Sequence, residues 1–117
     1  MNILMIFKII AAIGTAATGL FALVRPTAIY SFTGLIAEGS RGISEIRSIF
    51  GALFMALGIA PFIFGETAYH VLGFGYLAIA VVRLISIFID KSTASSNWIS
   101  LIIEIVFGII LIVKVAK

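Results

Sequence analysis

The chain has 117 residues, of which 62% are apolar and 11% charged, with a formal net charge of +3 and no cysteine. A soluble domain is nearer half apolar and a quarter charged, so this chain cannot cover itself with polar groups, and the bilayer must be its solvent. The lack of cysteine excludes disulfides, thiolate nucleophiles and Cys-ligated metals, and the scattered basic residues exclude a nucleic-acid-binding face.

Four apolar runs follow along the chain: 3–24, 43–64, 68–89 and 98–116. Each is close to the roughly 20 residues that a helix needs to cross the hydrocarbon core. Nothing alternates with period two, and a helix satisfies its own backbone in lipid. The expectation is therefore an all-α integral membrane four-helix bundle, a single domain over residues 1–117. Four spans put both termini on one side, side A, and the first and third loops on side B. The first run is too long for a signal-peptide core and is read as a retained span.

Small residues in the first run, Ala11, Thr15 and Gly19, recur at four-residue spacing beside Gly14 and Thr18. Gly51 and Gly58 in the second, Gly73 and Ala80 in the third and Gly108 in the fourth are similar marks. Small residues let helix backbones approach closely in lipid. The first loop, residues 25–42, places Pro26 where a helix can start, with Ile29, Phe32, Thr33 and Ile36 on one face. It predicts a short interfacial helix ending near Gly39, with an irregular covering loop as the alternative. The second loop, GETAYH (65–70), is a tight turn, and Pro61 before it is placed to kink the second helix. The third loop, DKSTASSN (90–97), offers Asn97 as N-cap of the fourth helix, with Trp98 at the interface.

The charges inside the runs carry the strongest functional signal. Glu45 and Arg47 open the second run at side B. Arg83 lies seven residues before Asp90, about 10 Å inside that side. Glu104 lies six residues after Trp98, about 9 Å inside. Ionisable residues in spans are rare and usually face a partner or a wet cavity. Matched depth and balanced sign suggest one cluster of Glu45, Arg47, Arg83 and Glu104, which Ser48, Ser86, Asp90 and Ser100 can extend. Two readings stay open at its edge. Glu45 can instead pair with Arg41 one turn earlier on the surface, and Arg47 is shallow enough to snorkel. The cluster can serve assembly alone or line a ligand pocket.

Other motifs carry less. GFGYLA (73–78) has the spacing of a dinucleotide fingerprint but lies within a span, without the preceding strand that the motif needs. His70 is the only histidine, and Glu66 beside it makes a poor metal site. No catalytic triad, paired catalytic carboxylates or phosphate loop is visible. The expectation is a non-enzymatic protein without cofactor or metal.

EIRSIFGALFMALG, then RLISIFID, then EIVFGIIL, with Pro26 and Gly34 in the first loop, resemble an uncharacterised prokaryotic family of small four-helix membrane proteins, domain of unknown function 4345. The resemblance covers nearly the whole chain and includes Glu45, Arg47, Arg83, Asp90 and Glu104. It implies the fold, a shared polar patch and a setting in the prokaryotic cytoplasmic (inner) membrane, but no activity. A more distant likeness in size and architecture is to DoxX-like proteins, which are associated with redox partners.

Three functions compete. The first is a bundle whose cluster stabilises it or binds membrane lipid, a quinone or another amphipathic ligand. The second is a proton-coupled transporter acting as a homo-oligomer. The small multidrug-resistance exporters are similar in length and span number, but they carry a glutamate in the first helix, where this chain has only Lys8. That leaves Glu104 as the one sensible coupling residue. The third is an accessory subunit of a larger membrane complex.

Overall fold

The protein is described over residues 2–115 by a computed structural model. Four helices are long and apolar enough to cross a membrane: Ile3–Val24, Gly39–Phe64, Glu66–Ile89 and Ser95–Ile112. The first starts where the Asn2 side chain accepts a 2.8 Å hydrogen bond from the Leu4 amide, and it stops just before Pro26. The second starts at Gly39, four residues before the apolar run does. Its first turn carries Ser40 and Arg41, which composition assigns to the loop.

The helical part of the first loop is shorter than expected. A 3-10 turn, Pro26–Ile29, runs into a single helical turn, Tyr30–Thr33, which stops at Gly34 with φ 77°. The stop comes at Gly34 because the left-handed conformation there needs a glycine. Gly39 opens the second span and does not close the loop helix. Ile29 is buried with Ala22 and Ile46, Phe32 packs on Phe21, and Ile36 is exposed beyond the helical turn. Thr27, Ser31 and Glu38 face outward.

Within the second span the residues Ile46–Leu53 form a π-helical stretch, and Pro61 lies further on in the α-helical part, Phe54–Phe64. The π-helical stretch lies in the half of the span nearer side B, and the helix runs on through Pro61 to Phe64. The second loop contracts to one residue, Gly65, whose φ of 84° and ψ of −154° suit glycine alone. Glu66, Tyr69 and His70 thus belong to the third helix. The fourth begins at Ser95, capped by Ala94, so Asn97 is not its N-cap. It ends at Ile112, short of the predicted limit at Ala116, which lies outside the described residues.

Packing is uneven along the membrane normal. At side A one core joins the four spans: Ala11 and Ala12, then Leu57, then Tyr69 and Leu72, then Leu111. Toward side B the core divides. Ala22, Ile29 and Ile46 hold the first two spans with the first loop, whereas Ala80, Ile87 and Leu101 hold the last two. The π-helical stretch packs on the first span, and contacts between the second and third spans come through Phe54–Phe64. The core is continuous at side A and forms two clusters toward side B, where the turn Tyr30–Thr33 of the first loop still touches the fourth span.

Glycines set the closest approaches. A Cβ on Gly58 would lie 2.5 Å from the Ala16 nitrogen and 2.6 Å from the Ala12 carbonyl oxygen. A Cβ on Gly73 would lie 2.8 Å from the Leu111 Cβ. These contacts stand in for the hydrophobic drive that lipid cannot supply between helices.

Candidate polar site on side B

Arg83 and Glu104 meet across the third and fourth spans. Arg83 Nε donates to Glu104 Oε1 at 2.8 Å, and Nη2 donates to Oε2 at 2.7 Å. This side-on, two-bond geometry matches the guanidinium fork to both carboxylate oxygens. Nη1 donates to Asn97 Oδ1 at 2.7 Å. Asn97 Nδ2 in turn donates to the Ser92 carbonyl oxygen at 2.8 Å and to Ser92 Oγ at 2.9 Å. The residue expected as a helix cap thus ties the third loop to the ion pair. The Glu104 side chain is 10% exposed and that of Arg83 31%.

The rest of the predicted cluster lies elsewhere. Glu45 pairs with Arg41 at 2.6 Å on an exposed face of its own helix, because a four-residue spacing brings the two into reach. Arg47 is exposed, and Ser48 faces outward beside it. They belong to the first helix pair, which the division of the core keeps apart from Arg83. Ser86 hydrogen-bonds to Asp90 one turn on. Ser100 is half-buried, with no side-chain hydrogen bond among the described residues.

Two cavities lie along the third span. One, of about 620 Å³, is lined by Arg83, Ser86, Ser92, Asn97, Val82 and Thr33 from the first loop. The other, of about 260 Å³, is an apolar groove between the second and third spans, lined by Phe54, Leu57, Leu72, Gly75 and Tyr76. Ile79 lines both. Leu72, Gly75, Ile79, Val82 and Ser86 recur at three and four residues, so one stripe of the third helix carries both cavities. At the floor of the groove the Thr15 hydroxyl donates to the Ala11 carbonyl oxygen, so in the Thr15–Tyr76 pair Tyr76 is the donor.

The cluster assembled from the sequence leaves out Lys8. Its side chain is fully buried, and Nζ donates to the Leu111 carbonyl oxygen at 2.7 Å and sits 5.8 Å from the centre of the Tyr69 ring. Its position five residues into an apolar run was the available signal. Tyr76 and Gly75 gave no comparable signal, because an isolated tyrosine or glycine in a span reads as packing. Glu66 and His70 approach to 3.7 Å at the start of the third helix. Among the described residues no group of three His, Cys, Asp or Glu side chains could hold a metal ion.

Four long apolar helices without a strand among the described residues define a small multi-pass, all-α membrane protein. The chain belongs to the family described as "Domain of unknown function (DUF4345)", which matches residues 3–114. No curated protein and no solved structure matches it.

Proposed function

We propose that this protein is a non-enzymatic binder that holds an amphipathic membrane molecule along its third span. The carrying observation is the shared stripe of the third span. Ile79 joins an apolar groove beside Tyr76 to a polar cavity beside Arg83, as a molecule with a tail and a head requires. Pockets of this kind are mostly apolar with a few placed polar groups. The Arg83–Glu104–Asn97 network holds the polar end in place. The setting we propose is the cytoplasmic membrane of a prokaryote, as the family resemblance implies.

The transporter alternative has less support. Both Glu104 oxygens accept bonds from Arg83, and the carboxylate is nearly buried, which suits a fixed pair better than a proton carrier.

Gly75 supplies the test, since a Cβ there meets nothing within 4 Å and would project into open space. Native mass spectrometry of the protein released from its own membrane should show a lipid-soluble molecule at a fixed ratio. Gly75→Leu should lose it while keeping its fold. Identical bound molecules on both proteins would refute the binding site.

A further inference from the structure

Resting on the binding reading above, we infer that the head of the bound molecule is uncharged and accepts hydrogen bonds without needing to donate them. The hydrogen-bond balance of the polar cavity carries the inference. A guanidinium has five N–H groups. Three of those on Arg83 are spent on Glu104 and Asn97, leaving two. Both Asn97 amide hydrogens go to Ser92, and its oxygen accepts from Arg83. Thr33 has no proton to offer, since it donates to the Ile29 carbonyl oxygen, and it accepts from the Leu35 amide. Ser92 Oγ accepts from Asn97, and its own proton has no acceptor among the described residues. The protons left without an acceptor are therefore two on Arg83 and one on Ser92, while no lining side-chain oxygen is left without a bond. Spare lone pairs remain on the Ser86, Ser92 and Thr33 hydroxyls, but each of these oxygens already makes a hydrogen bond, whereas the leftover protons make none.

Charge excludes an anion in this place. The single positive charge of Arg83 is met in contact by Glu104, and Asp90 follows through Ser86. Lys91 is not among the lining residues. A phosphate or carboxylate head would meet a guanidinium already neutralised, with a second carboxylate nearby, and would lose its hydration. A carbonyl head needs no counter-charge and matches the free N–H and O–H groups. The groove beyond Ile79 offers no free hydroxyl proton, because Tyr76 donates to Thr15 and Thr15 to Ala11. The tail is therefore apolar, and the molecule lies in one direction, head toward side B. An alkyl benzoquinone has this chemistry.

Trp98, the only tryptophan, adjoins Asn97 and packs on Phe88, so it reports on the polar cavity. Decyl-benzoquinone titrated into the full-length protein in neutral detergent should quench Trp98 fluorescence saturably. Gly75→Leu should weaken binding about tenfold, equivalent to about 1.4 kcal/mol. Excess phosphatidylglycerol should leave the wild-type midpoint unchanged. In Glu104→Gln, which keeps the shape but frees the Arg83 charge, the same lipid should raise the midpoint about tenfold. Displacement of the quinone by phosphatidylglycerol from the wild-type protein would overturn the uncharged head and leave the pocket standing. Quenching unaltered by Gly75→Leu would instead overturn the pocket itself. Both of these readouts stand even where Glu104→Gln does not fold.

Discussion

Lys8 in the first span and Leu111 in the last turn of the fourth are joined by a 2.7 Å hydrogen bond from a fully buried ammonium to a backbone carbonyl. The last four carbonyls of a helix have no partner within it, and its C-terminus carries partial negative charge. Lys8 satisfies one of those carbonyls at the closed end of the bundle, with its hydrocarbon stem inside the core.

This arrangement sets an order among substitutions. Lys8→Met keeps most of the volume and loses the bond, at about 1–3 kcal/mol. Lys8→Ala loses the bond and leaves a cavity as well, at about 2–5 kcal/mol. Unfolding titrations in mixed micelles should rank alanine below methionine. The reverse order would mean that a methionine side chain fits this position worse than a cavity does, and that the lysine stem adds no packing energy.

Arg83 and Glu104 should be coupled. Removing one member leaves a charge without compensation, which costs about 3–5 kcal/mol in buried pairs. Arg83→Leu and Glu104→Leu should each lower the melting temperature strongly, and the double variant should recover part of the loss. Strict additivity would show that the two residues act independently.

Asn97 should matter more than a loop-end residue usually does. Asn97→Ala removes one bond to Arg83 and two to Ser92, at about 1–3 kcal/mol. Asn97→Asp should be milder, because it can still accept from Arg83. Equal melting temperatures for Asn97→Ala and the wild type would remove the third loop from the network.

Gly58 and Gly75 should respond oppositely to alanine. A methyl at Gly58 meets the Ala12 and Ala16 backbone, so spans one and two must separate, at about 1–3 kcal/mol. A methyl at Gly75 meets nothing, and the helix gains roughly 0.5–1 kcal/mol from the better helix former. Melting temperatures of the two single variants in one detergent check the sign of each.

Orientation follows from which cations remain free to set it. Lys8 is buried, and Arg47 is exposed on side B with Arg25, Arg41 and Lys91. Side A keeps Lys114 and, by sequence, Lys117. The excess on side B predicts that side B faces the cytoplasm. A reporter active only outside the cytoplasm should work when fused after residue 117. Activity of a cytoplasm-only reporter there would reverse the orientation.

Composition and hydropathy by themselves determined the solvent, the four spans and their alternation, because lipid admits few backbone solutions and about 20 apolar residues mark each one. Depth counted from the loops also put Arg83 and Glu104 at one level, since rise per residue is constant along a helix. Rotation about each helix axis is another matter. Glu45 and Arg47 share a depth with Arg83 but lie on the other helix pair, and Asn97 looks like a cap yet reaches back to the ion pair. The π-helical stretch has no plain local mark in the sequence. The split of the core toward side B and the two cavities along the Ile79 stripe depend on which small residues touch across helices. That choice is made by the fit of whole helix surfaces, so it was decided only in the tertiary structure.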